Sequence, residues 1–320
     1  MPIIGQVTRK NRSRPGLELR KSRRSPSIQP VKEPVYPAVI RLAKTLQLSM
    51  GWKVTIIGAG NVPTDGPAIL AINHAGYLDF VFSAWACVFE RKRWVRFLAK
   101  KEVFDNGVAG PLMRGMKHIP VDRHKDPARA LDLAIEALRR GEVVGTFPEA
   151  TINRSYVPSK GKTGTVRMAQ ASGAPILPVA VWGSHRIMTK GRPRNMQRGV
   201  AILVKIGPPL ELAADDDPLE ATDRLMKAIS EQLEQAQQEY PQKPSGDDDR
   251  WWLPAHLGGT APTPEEAEVM MAEERARKAA KAGAGSDAVI ADAAVPTAGS
   301  TDGEAPVPDE PAESQAAEQQ

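Results

Sequence analysis

Residues 71–80 read AINHAGYLDF, and they place His74 beside Asn73 and ahead of Asp79 in a chain with five histidines. An imidazole with a carboxylate at one ring nitrogen can take a proton from a hydroxyl as that hydroxyl attacks a carbonyl carbon. Helical spacing would separate these two side chains, because five residues along a helix turn through about 500°. A strand end, a turn and a helix start would not. Gly76 permits a tight reversal that folds His74 over the first helical turn. Asp79 can then accept from one ring nitrogen and leave the other as the base. The same ten residues also fit a satisfied structural histidine, and their spacing alone does not separate the two readings. The chain has no G-x-S-x-G elbow, so the attacking hydroxyl would belong to the substrate.

Three other stretches end in residues that could serve such a site. VVGTFPEATINRSY (143–156) is an apolar run that delivers Glu149, with Arg154 close behind. A carboxylate at the mouth of an α/β sheet can bind substrate hydroxyls, and an arginine there can meet a phosphate. KHIPVDR (117–123) carries Arg123 toward the same edge, and APILPVAVWGS (174–184) is a proline-bounded strand. Each also fits an ordinary turn or surface ion pair. SKGKTGT (159–165) imitates a phosphate-binding loop, but Tyr156 stands where the first glycine belongs. His118 and His124 lack Cys or His partners at ligand spacing, so no metal is expected. His185 and His256 read as structural.

The elements that must hold these residues alternate. Strands are expected at 53–58, 68–73, 96–100, 117–122, 143–147, 176–182 and 200–207. Helices are expected over 77–90 and over 126–141, where Asp126 starts and Gly141 stops the run. Two more follow: TVRMAQASG, closed by glycine, and the segment from Asp217 to Tyr240. This alternation predicts an α/β fold with a largely parallel central sheet flanked by helices. Ahead of it, Val39, Leu42, Leu46 and Met50 form one stripe of a first helix with Arg41 and Lys44 off it. That stripe fits either a core-packed helix or an interfacial helix with its apolar side in lipid.

Three regions are expected: a basic disordered arm (1–34), the catalytic domain (35–240), and a Trp-containing linker with an acidic, mostly disordered tail (241–320). Trp251 and Trp252 are expected to pack back on the domain, with insertion at a membrane interface as the alternative, and EEAEVMMAEERARKAAKA can form a helix that is marginal alone. The net charge of +5 is unevenly spread. The arm carries Arg9, Lys10, Arg12, Arg14, Arg20, Lys21, Arg23, Arg24 and Lys32 against Glu18 and Glu33, whereas the sign reverses beyond Ala261. Such a basic front attracts nucleic acid, anionic lipid or a phosphorylated substrate. A single cysteine, Cys87, excludes a disulfide framework and points to a reducing compartment. Neither a secretory signal nor a spanning helix is expected.

Taken in order and spacing, the four stretches resemble the glycerolipid acyltransferase family, of the lysophosphatidic acid acyltransferase or PlsC-like type. Asn73-His74-x4-Asp79 is similar to its first motif. Ile119-Pro120-Val121-Asp122-Arg123 is similar to its second, Phe147-Pro148-Glu149 to the start of its third, and Pro175 through Pro178-Val179 to its fourth. The resemblance spans roughly residues 55–210. Two departures stand out: Ala150 replaces the glycine after the glutamate, and EATINRS displaces the following arginine to Arg154, with Lys162 or Arg167 as stand-ins. Lys117 also sits where the family has a glycine before its second motif. The resemblance implies an O-acyltransferase of phospholipid biosynthesis. In it His74 is the base, Asp79 its orienter, and Asn73, Arg123, Glu149 and Arg154 lie around the acceptor. It needs no cofactor or metal. Its partners are acyl-CoA or acyl carrier protein as donor, a lysophospholipid acceptor, and an anionic membrane surface. The expected location is cytoplasmic, peripheral on the inner face of the cell membrane. The rival class is a nucleic-acid-binding protein acting through the basic arm, which leaves the ordered motifs unexplained.

Overall fold

The computed structural model describes residues 33–123 and 125–292. Most of the basic arm, His124 and the tail beyond 292 lie outside the described residues. Seven strands form: β1 (Lys53–Ile57), β2 (Ala68–Ile72), β3 (Val95–Lys100), β4 (Ile119–Val121), β5 (Val143–Thr146), β6 (Ile176–Trp182) and β7 (Ala201–Ile206). They make one sheet in the order β1-β7-β6-β2-β5-β3-β4. Only the β6–β7 pair is antiparallel. The mostly parallel sheet flanked by helices is the expected class.

The central strands read as apolar runs because both faces are covered. On β2, Leu70 and Ile72 pack into one core layer while Ile69 and Ala71 pack into the other. Helices α1 (Val35–Ser49) and α2 (Asp79–Trp85) cover the first face. Helices α3 (Lys101–Asp105) and α4 (Ala109–Gly115), which no pattern in the sequence announced, follow β3. The other face is covered by α5 (Pro127–Arg139), α6 (Gly164–Ser172) and α7 (Pro218–Gln238). Their ends are set locally. Asp126 accepts from the Arg129 amide, Asp217 accepts from the Leu219 and Glu220 amides, and Gly173 closes α6 at φ 69°.

Two expectations change. The α1 stripe is divided: Val39 and Met50 pack on the core, but Leu42 is 72% exposed and Leu46 44%. Polar anchors set the rotation instead. The Tyr36 hydroxyl exchanges hydrogen bonds with the Val95 backbone at 3.0 and 3.1 Å, and Gln47 donates to the Trp52 carbonyl. The compact unit also runs past the expected boundary near residue 241, to Pro264. Trp252 is buried there against Tyr240 and under the Arg186 guanidinium, as the packing-back reading expected. Beyond it, α8 (Pro264–Asp292) forms a separate unit that contains the EEAEVMMAEERARKAAKA stretch. Glu265 and Glu266 in its first turn suit the positive end of the helix dipole.

Candidate active site

Because β2, β3, β4, β5 and β6 run parallel, their carboxyl ends share one edge, where ligands bind in open α/β sheets. His74 follows β2, Arg123 follows β4, and Glu149 and Arg154 follow β5. The sequence order thus becomes a spatial cluster.

The turn between β2 and α2 brings His74 and Asp79 together. His74 Nδ1 lies 3.1 Å from Asp79 Oδ2. The same oxygen accepts the Ala75 and Gly76 amides, each at 2.8 Å. Gly76 is required at that spot: a Cβ there would lie 2.8 Å from His185 Cα. Asp79 is wholly buried, while the His74 side chain keeps 20% of its surface. With Nδ1 held by the carboxylate, Nε2 is the nitrogen left to act. The Phe147 ring stacks on the imidazole at 4.1 Å between centroids and shields one side of it.

Two of the expected substrate contacts, Asn73 and Glu149, are hydrogen-bonded within the fold. Asn73 is buried, and its amide exchanges hydrogen bonds with Val181, accepting at 2.7 Å and donating at 3.3 Å. It closes the gap between β2 and β6. Glu149 is also buried. It accepts the His74 amide at 2.9 Å, Asn153 Nδ2 at 3.1 Å, and the Ser159 amide and hydroxyl at 3.0 and 3.2 Å. A carboxylate out of water needs such partners. Burial still pushes the Glu149 carboxyl above its ordinary range, against the lowering effect of those bonds. Glu149 therefore pins the His74 backbone.

Arg123 is exposed, and its guanidinium donates to the Ala150 carbonyl at 2.6 Å, which joins the second and third motif stretches at the rim. Arg154 packs beside the segment after β6, where its Cζ would be 3.3 Å from a Cβ built on Gly191. Lys101, 49% exposed and 3.3 Å from Asp122, adds a cation that no motif marked. Ala150 and Lys117, the two positions where the resemblance calls for glycine, both have left-handed backbone, at φ 60° and 54°.

Sequence reading missed Asn153 and Ser184. Asn153 belongs to the lengthened EATINRS stretch. Its amide donates to the His74 carbonyl at 2.8 Å while its side chain holds Glu149. Ser184 donates from its hydroxyl to Asp79 Oδ1. His118 and His185 are buried neutral imidazoles. His118 accepts the Phe97 amide, His185 is bonded to the Trp252 carbonyl, and burial lowers each to about 4. His256 is exposed. Among the described residues no group of three or more His, Cys, Asp or Glu is placed to hold a metal ion.

Comparison with known proteins agrees with this arrangement. The acyltransferase family model matches residues 53–182, which contain all of the expected site residues. A 1-acyl-sn-glycerol-3-phosphate acyltransferase from Bacillus subtilis is 31% identical over 196 residues, covering 61% of this chain and 92% of that protein. One from Limnanthes douglasii is 33% identical over 174 residues, covering 53% of this chain and 59% of that protein. The crystal structure of a Thermotoga maritima protein, PlsC, titled a 1-acyl-sn-glycerophosphate acyltransferase, shares the fold. Its TM-score is 0.53 at 21% identity, covering 64% of this chain and 81% of that one. With a carboxylate-held imidazole at the carboxyl edge of the sheet and a relative matched over nearly its full length, the chain belongs to the acyltransferase family, whose members here serve phospholipid biosynthesis.

Proposed function

We propose that this acyltransferase moves a fatty acyl group from acyl-CoA or acyl carrier protein to the free hydroxyl of lysophosphatidic acid or a related lysolipid. The observation that carries this reading is the His74–Asp79 pair, with one ring nitrogen bound to a buried carboxylate and the His74 side chain still partly exposed. His74 Nε2 takes the acceptor's hydroxyl proton, and Asp79 holds the ring and balances the charge it gains. The oxygen attacks the thioester carbonyl carbon, a C–O bond forms, and the C–S bond breaks. The thiolate leaves and recovers the proton from the imidazolium. Arg123 is the first candidate for the acceptor's phosphate, with Arg154 and Lys101 as further cations.

The lipid acceptor suits an enzyme working at the cytoplasmic face of a membrane. Leu42, Leu46 and Leu48 on α1 and Leu112 on neighbouring α4 are exposed apolar side chains, as interfacial contact requires. No helix among the described residues is long and apolar enough to cross a membrane.

The test is thiol release from acyl-CoA in the presence of lysophosphatidic acid, run beside His74→Ala, then repeated over a panel of lysolipids. Turnover that depends on both acceptor and His74 supports the reading. Equal background release by the two proteins removes it.

A further inference from the structure

Asp79 has two carboxylate oxygens, and the family motif accounts for only one. Oδ2 takes His74 Nδ1 and the two turn amides. Oδ1 takes the hydroxyl of Ser184, which stands 105 residues away in the chain and is wholly buried, as is Asp79. Ser184 opens a single 3-10 turn, Ser184–Arg186, directly after β6 and Gly183. Gly183 has φ 96°, and a Cβ on it would lie 2.2 Å from the Ala201 carbonyl oxygen. The backbone there is thus confined to one path, and that path aims Ser184 at Asp79. The next residues hold the same turn. Thr189 donates its hydroxyl to the Ala75 carbonyl at 2.7 Å, and the Met188 carbonyl accepts the Tyr77 amide at 2.9 Å.

We propose that Ser184 is a positioning residue for acyl transfer: its hydroxyl fixes the orientation of the Asp79 carboxylate and, through it, the His74 ring. The proposal rests on His74 acting as the base. The physical argument is that a buried carboxylate oxygen without a donor is costly. Without Ser184, Oδ1 lacks its donor and the carboxylate that seats the His74 ring is less firmly fixed for proton transfer, while Oδ2 keeps the ring and the two turn amides. The hydroxyl also draws negative charge toward Oδ1. Its removal concentrates charge on Oδ2 and strengthens the hold on a protonated imidazole. The other ionisable groups coupled to this pair are Glu149, which accepts the His74 amide, and His185, a buried neutral neighbour of Asp79 that itself feels Arg186.

The experiment compares wild type, Ser184→Ala, Ser184→Cys and Thr189→Val in the thiol-release assay across pH. Ser184→Ala should lower kcat on the order of tenfold, with KM for both substrates nearly unchanged. Its acid limb of kcat/KM should move to higher pH. Ser184→Cys, close in size and a weak donor, should fall between. Thr189→Val, which loses a bond to the same turn without touching Asp79, should leave the acid limb in place. Histidine C2-proton NMR titration of the same proteins reads the coupling without turnover. A shifted His74 titration in Ser184→Ala supports the link even if the wild type releases no thiol, a result that would remove only the acyl-transfer reading. An unmoved acid limb and titration in Ser184→Ala, or an equal movement in Thr189→Val, overturns the proposal.

Discussion

The turn after β2 and the turn after β6 each present a histidine bound to a fixed oxygen, and they pack against each other through Gly76 and His185. His74 is bonded to a carboxylate and keeps a fifth of its surface. His185 is bonded to the Trp252 carbonyl at 2.9 Å, lies against Trp182 and Tyr156, and has no exposed surface. A carboxylate stabilises an imidazolium, whereas burial among aromatic rings holds His185 neutral against the raising effect of the Trp252 carbonyl. Being oriented is common to both histidines. A reachable second nitrogen and a charged partner are what separate a base from a packing element.

Alanine at each position should break the comparison in opposite directions. His74→Ala should cost a factor on the order of 10²–10⁴ in kcat with little change in Tm, since the ring is partly exposed and its neighbours close over little volume. His185→Ala leaves a void among aromatic rings and an unpaired carbonyl. It should cost about 3 kcal/mol and lower Tm by roughly 5–10 °C in scanning calorimetry. If His185→Ala melts like the wild type, that ring is not buried as described.

The contrast also predicts a pH dependence of stability. His185 and His118 are both lowered by burial to about 4 from an ordinary value of 6.5. Between those limits the unfolded chain binds more protons than the folded one, so their contribution is full above pH 6.5 and is lost as pH falls toward 4. The slope approaches about 1.4 kcal/mol per pH unit for each histidine. Glu149, raised by burial, acts the other way: it favours the folded state below about pH 4.5 and costs stability as pH rises past its shifted value. Urea midpoints should therefore fall between pH 6.5 and 5. A flat profile there would mean that neither ring is held neutral by burial.

Much of this was legible in the sequence, for physical reasons. Central strands buried on both faces appear as apolar runs, and all seven strands were marked. Asp126, Asp217 and Gly173 announced helix ends because capping is local. The first motif was readable because strand, glycine turn and helix start leave few ways to place His74 and Asp79. What escaped depends on partners distant in the chain. Asn73 looks free to bind a substrate until Val181, 108 residues on, occupies its amide. Glu149 looks the same until the His74 amide, Asn153 and Ser159 close around it. The rotation of α1 depends on a hydroxyl meeting Val95, which no stripe of leucines reveals. Helices α3 and α4 are too short to show a period.

The smallest expected effect tests the third-motif turn, where this chain departs from its family most. Ala150 holds φ 60°, its amide bonded to the Phe147 carbonyl at 2.9 Å and its carbonyl accepting from Arg123. A left-handed backbone costs a residue with a Cβ about 1–2 kcal/mol relative to glycine. Glycine also gains freedom in the unfolded chain and so loses about 0.4–1 kcal/mol. Ala150→Gly should therefore stabilise by roughly half a kcal/mol, seen as a higher urea midpoint with an unchanged slope. Lys117→Gly relieves the same strain at φ 54° but also removes the 3.1 Å pair between Lys117 and Glu33, with the lysine 45% exposed. Even a solvent-exposed pair is worth about 0–1 kcal/mol, and the Glu33 side chain is only 6% exposed, so the second substitution should gain less than the first. If Ala150→Gly lowers the midpoint, the left-handed turn at Ala150, and with it the placement of Arg123 beside the Glu149 loop, is wrong.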